Sequence, residues 1–99
     1  MRYKLDFVKK GKLDIEEITR SGNKAINANV LRIFLELMND PRVGIGKPEK
    51  LKHLKGDFWS RRLDDKNRLI YEIVETAREG VEAYTVIITQ ALGHYEDKW

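Results

Sequence analysis

Apolar and polar residues alternate at the start of the chain. Tyr3, Leu5 and Phe7 are separated by Lys4 and Asp6, a period of two that predicts a half-buried strand. Gly11 is expected to break it. Asp14 followed by Glu17 has the spacing of a capping box and predicts the start of a short helix, ended by the Ser21-Gly22-Asn23 cluster. The period then lengthens, and Ile26, Val30, Ile33, Phe34 and Leu37 fall on one face of a second, longer helix. Pro41 stops that helix, because the residue before a proline resists helical backbone angles.

Between residues 42 and 57 no period is visible. Gly44, Gly46, Pro48, Gly56 and several lysines make this a long basic loop, and long loops in compact domains are usually functional. Three strand-like runs follow, at 58–63, 68–74 and 81–88, with turns at 64–67 and 77–80. The last two runs are apolar at nearly every position, which places them in the middle of the sheet. Gly93 precedes a short C-terminal tail. The pattern as a whole predicts an α/β (α+β) fold: one N-terminal strand, two helices, then an antiparallel β-meander with the helices on one face. Residues 1–99 are expected to form a single domain.

Composition narrows the classes. A hydrophobic fraction of 41% and a charged fraction of 35% describe a soluble globular protein. The longest apolar stretch, 30–38, is interrupted by Arg32 and Glu36 and is far short of a membrane span. The N-terminus lacks the order of a signal peptide, so the expected compartment is the cytoplasm. There are no cysteines, and two histidines cannot make a structural zinc site without carboxylate help. No metal and no cofactor is expected.

The net charge of +3 matters less than its distribution. Residues 42–68 carry nine Lys/Arg against four Asp/Glu, whereas residues 69–99 carry two against six. A positive surplus confined to one segment suits a polyanion, and it suits solvated lysines on a loop equally well.

Cleaving RNA without a metal needs a base for the 2′-hydroxyl proton, a cation for the charge on the phosphorane-like transition state, and an acid for the departing 5′-oxygen. A carboxylate, an arginine and a histidine can fill those roles. Arginine meets two phosphate oxygens at once with its planar fork. Histidine, with an ordinary pKa of about 6.5, is usefully protonated near neutrality. The less regular parts of this chain offer Glu49 in the basic loop, Arg68 at the head of a strand, and His94 with Tyr95 in the tail. Spacing alone does not select them, since a lone loop glutamate is usually solvated and a lone terminal histidine usually idle.

The motifs add weight. Gly44-Ile45-Gly46-Lys47-Pro48-Glu49-Lys50-Leu51-Lys52-His53, then Phe58-Trp59-Ser60-Arg61-Arg62, then Asn67-Arg68-Leu69-Ile70-Tyr71, and finally His94-Tyr95, resemble the Txe/YoeB family. These are RelE-like toxins of bacterial toxin–antitoxin pairs. The resemblance covers 44–95 in register, while 1–43 agree only in strand–helix–helix order. No helical pattern follows the Gly44-Ile45-Gly46-Lys47 run, so it is not a nucleotide-binding P-loop. The resemblance implies a RelE-like compact fold and an mRNA interferase acting in the ribosomal A site. It makes Glu49 the general base, Arg68 the transition-state clamp and His94 the general acid, with Tyr95 positioning the RNA. Lys47, Lys52 and Arg62 would hold neighbouring phosphates. Trp59 could stack on a base, worth roughly 1–3 kcal/mol, but a half-buried sheet aromatic is the preferred reading. For His53, loop packing or a backbone hydrogen bond is preferred. The implied partners are mRNA, the ribosome, a cognate antitoxin and a second copy of the chain. DNA, which lacks the 2′-hydroxyl, would not be cut.

Two features depart from the family pattern. Glu96-Asp97-Lys98-Trp99 extend beyond His-Tyr, and 54–57 order their leucine and glycine differently. Two other classes compete with the nuclease. One is a non-catalytic RNA- or ribosome-binding translation inhibitor, which the charge distribution supports as well. The other is an interaction domain for an acidic protein, as in the related toxins that attack DNA gyrase. Neither needs Glu49, Arg68 and His94 together.

Overall fold

The computed structural model describes residues 2–93. The elements run β1 (Lys4–Phe7), α1 (Lys9–Arg20), α2 (Lys24–Asn39), β2 (Glu49–Lys50), β3 (Phe58–Arg62), β4 (Arg68–Val74) and β5 (Thr85–Gln90). The five strands form one sheet in the order β1-β5-β4-β3-β2. The apolar strands β4 and β5 lie inside it, as expected of runs that must be covered on both faces. β2 to β5 pair antiparallel, whereas β1 runs parallel to β5, with Leu5 opposite Val86.

Both helices pack on one face. Ile18, Ile26, Val30, Ile33 and Leu37 join Leu69, Tyr71, Ile73, Val86 and Ile88 in a single buried cluster. Each fully buried aliphatic side chain here contributes about 1.5–3 kcal/mol. Strand alternation sends Ser60, Ile70 and Glu72 to the opposite face. The register Glu49–Ser60–Ile70 and the pair Arg62–Arg68 put Glu49, Arg62 and Arg68 on that same face, opposite α1 and α2.

Four local expectations are corrected. Gly11 does not break the chain after β1 but lies inside α1. A Cβ there would collide with the Ile88 carbonyl oxygen, so the missing side chain lets the helix lie directly on β5. Asp14 does not cap a helix. α1 starts earlier, at Lys9, with Val8 as its uncapped N-cap residue, and Asp14 is buried in its middle. The basic loop is not wholly irregular, because Glu49–Lys50 pairs with β3. The last strand begins at Thr85 instead of position 81: Val81 is used in an isolated bridge with Arg78, and Tyr84 takes a left-handed φ of 58° that interrupts extension. The Ser21-Gly22-Asn23 break is as expected, with the Asn23 side chain accepting from the Ile26 amide at 3.1 Å to cap α2. No helix among the described residues is long and apolar enough to cross a membrane.

Candidate active site

The basic loop is held in place from below. Arg61 is fully buried, on the helix side of β3. Its Nε donates to the Tyr71 hydroxyl at 3.1 Å, one terminal nitrogen to Glu36 Oε1 (2.7 Å) and the Ile45 carbonyl (3.3 Å), and the other to the carbonyls of Pro41 (3.2 Å) and Val43 (2.7 Å). A guanidinium has five N–H donors, and all five are engaged inside the protein. Tyr71 adds a bond from its hydroxyl to the Pro41 carbonyl at 2.7 Å. Burial pushes the Tyr71 phenol pKa up, with the Arg61 guanidinium opposing. Glu36 Oε1 also accepts from the Ile45 amide at 2.9 Å. The start of the loop is therefore fastened to α2 and β4 through one arginine.

Beyond this anchor the loop runs against β3. Gly46 accepts from the Arg62 amide at 2.7 Å, with φ at +82° and room for no side chain, since a Cβ would lie 2.6 Å from the Arg62 carbonyl oxygen. Lys47 follows with φ at 50°. The chain then turns through Pro48 into Glu49. Lys47, Pro48, Glu49, Arg62 and Arg68 line one cleft of about 270 Å³.

Arg62 and Arg68 face each other across the β3–β4 pair at the wall of this cleft. Neighbouring arginines in the sequence thus have opposite fates: Arg61 is saturated inside, and Arg62 is exposed at the cleft. Arg68 is half-buried, and its Nε is inaccessible with no hydrogen-bond partner among the described residues. Its amide donates to the Gly93 carbonyl at 3.2 Å.

A second cluster braces the far end of the loop. Arg42 bonds Asp57 at 2.9 Å and Glu75 at 3.2 Å, and Tyr3 donates to Glu75 at 2.5 Å. Asp57 also accepts from the Trp59 indole at 2.8 Å and pairs with Lys50 at 3.2 Å. Burial alone would raise the Asp57 pKa, but the Trp59 indole, Lys50 and Arg42 outweigh it and hold the carboxyl below its ordinary value.

Of the residues proposed from sequence, Lys47, Glu49, Arg62 and Arg68 are brought together. Lys52 is exposed in the turn after β2 and is not among the residues lining the cleft. Trp59 packs against the core cluster on the helix side, across the sheet from Glu49. His94 and Tyr95, and the Glu96-Asp97-Lys98-Trp99 extension with them, lie outside the described residues. Arg61 and Tyr71 were not singled out as a pair. The signal was there in strand alternation, which must turn one of two adjacent arginines inward. Among the described residues no three His, Cys, Asp or Glu side chains are grouped to hold a metal ion.

Residues 8–95 match the family model described as a YoeB-like toxin of bacterial type II toxin–antitoxin systems. Toxin YoeB of Streptomyces coelicolor is 33% identical over 73 residues, which is 74% of this chain and 77% of that protein. Among solved structures, the YoeB dimer of Staphylococcus aureus superposes with a TM-score of 0.73 at 26% identity, covering 96% of this chain and all of that one. The YoeB–YefM complex from the same organism has a TM-score of 0.71 at 26% identity and the same coverage.

Proposed function

Because the chain belongs to the YoeB-like toxins of bacterial type II toxin–antitoxin systems, we propose that it is a ribosome-dependent, metal-independent endoribonuclease that stops translation by cutting mRNA in the ribosomal A site. The observation that carries the reading is the cleft itself. One carboxylate and three cations, Glu49 with Lys47, Arg62 and Arg68, share a small open hollow, and Arg68 keeps an Nε that nothing described satisfies.

In the proposed reaction the Glu49 carboxylate takes the proton of the 2′-hydroxyl, and that oxygen bonds to the adjacent phosphorus. Arg68 holds the equatorial oxygens as negative charge accumulates on them. His94 gives a proton to the 5′-oxygen as the P–O bond breaks, and Tyr95 positions the RNA. The products are a 2′,3′-cyclic phosphate upstream and a 5′-hydroxyl downstream. Arg62 and Lys47 hold neighbouring phosphates as the lining of the cleft allows, and Lys52 contacts the strand beyond it.

The Staphylococcus aureus relatives, solved as a dimer and with YefM, support a homodimer and an antitoxin partner for this chain. An acidic segment that folds on binding suits the positive loop.

The test is to incubate the protein with programmed ribosomes and a defined mRNA in EDTA-treated and untreated samples, and to map the ends. Cuts at the A-site codon with cyclic or 3′-phosphate ends, lost in Glu49→Ala and His94→Gln, support the assignment. Intact mRNA on stalled ribosomes would instead show a binder that acts by occupancy. A strict magnesium requirement in the chemical step would overturn the mechanism.

A further inference from the structure

We infer that Asp14 and Asn67 are positioning residues, which clamp the backbone at 91–93 against the Arg68 end of the cleft and so set the geometry of cleavage. The inference rests on the cleft being the ribonuclease site.

The ladder of β5 ends at Gln90, and the next three amides donate to side chains. Ala91 and Leu92 both donate to Asp14 Oδ2, at 2.9 and 3.2 Å, and Gly93 donates to Asn67 Oδ1 at 2.8 Å. Asp14 caps neither end of its own helix: it sits in the middle of α1, where aspartate is a poor helix former, and it is 6% exposed. A buried carboxylate must be paired to be tolerated, and Lys10 supplies the charge at 2.6–2.7 Å.

Asn67 is aimed just as deliberately. Its amide nitrogen donates to Asp64 Oδ2 at 3.2 Å, and Asp64 Oδ1 accepts from the amides of Lys66 (2.9 Å) and Asn67 (2.7 Å). This leaves the Asn67 side-chain oxygen pointing at Gly93. The Gly93 carbonyl in turn accepts from the Arg68 amide. Gly93 is thus tied on both sides to consecutive residues, the second of which carries the guanidinium that lines the cleft. Its φ of +87° marks where the chain turns. His94 is the next residue in the sequence. Reactions held in a fixed geometry lose roughly 10²-fold in rate when a group is misplaced by about 1 Å.

Asp14→Ala, Asp14→Asn and Asn67→Ala should be compared with the native full chain for cleavage of ribosome-bound mRNA, with melting temperatures recorded for each. The expected result is a kcat lower by roughly 10–100-fold in Asp14→Ala and Asn67→Ala, with KM within about twofold of native. Asp14→Asn keeps an oxygen that can accept both N–H groups, and should recover most of the rate. Native kcat in folded Asn67→Ala would overturn the inference. If Asp14→Ala does not fold, Asn67→Ala in its surface turn carries the test. A native protein that cuts no mRNA removes the ribonuclease reading and this inference with it, whereas native cleavage with unaffected variants removes the inference alone.

Discussion

Two adjacent arginines should respond to the same substitution in opposite ways. Arg61→Gln removes a guanidinium with a side chain wholly inaccessible to solvent and five internal acceptors. Breaking one half of a buried ion pair costs about 3–5 kcal/mol. Glu36 is 23% exposed, so solvent screens part of the orphaned charge, and the lower end of that range applies. The carbonyls of Pro41, Val43 and Ile45 lose a donor too, although Val43 is exposed and water can replace one of them. A loss of about 3–4 kcal/mol would lower the melting temperature of a domain this size by roughly 12–30 °C. Arg62→Gln changes an exposed side chain and should alter stability by no more than about 0.5 kcal/mol, while slowing mRNA cleavage. Urea unfolding followed by circular dichroism, run beside the cleavage assay, separates the two effects. Equal midpoints for Arg61→Gln and the native chain, or a collapse of stability in Arg62→Gln, would refute the division of labour.

Further outcomes follow from other sites. Arg68→Lys keeps a charge but loses the planar fork, and should lower kcat by about 10²–10³-fold in single-turnover cleavage with the fold intact. Gly11→Ala forces a methyl group into the Ile88 carbonyl and should destabilise by about 1–3 kcal/mol in thermal unfolding, against the usual preference for alanine in helices. Asp57 has a folded pKa below its ordinary value, so its contribution is present above the unfolded pKa of about 3.9 and is lost as pH falls through the lower folded value. Asp57→Asn should therefore flatten the acid limb of a stability–pH curve below about pH 5; an unchanged limb would count against the network.

Much of the architecture was legible because periodicity reports which face is covered. The apolar spacing of 26–37 marked the face of α2 that is buried, and the run of 69–74, apolar at every position but Glu72, marked an interior strand. Local signals failed where a distant element overrode them. Gly11 and Asp14 read as a break and a cap from their neighbours, yet both are shaped by β5 and the residues just after it, more than seventy residues away, through the Ile88 carbonyl and the amides of Ala91 and Leu92. Glu49, Arg62 and Arg68 could be proposed from the motifs, but a motif carries no distance.

The sequence by itself determined the family and the order of strands and helices apart from the short β2, because these depend on local pattern and on matched strings. Only the tertiary structure decided that Lys47, Glu49, Arg62 and Arg68 share one cleft while Trp59 lies across the sheet. It also decided that β1 pairs parallel with β5, and that Arg61 is bound inside while Arg62 is exposed at the cleft. Those outcomes depend on register and on burial, which arise only when residues far apart in the chain compete for the same space and the same hydrogen-bond partners.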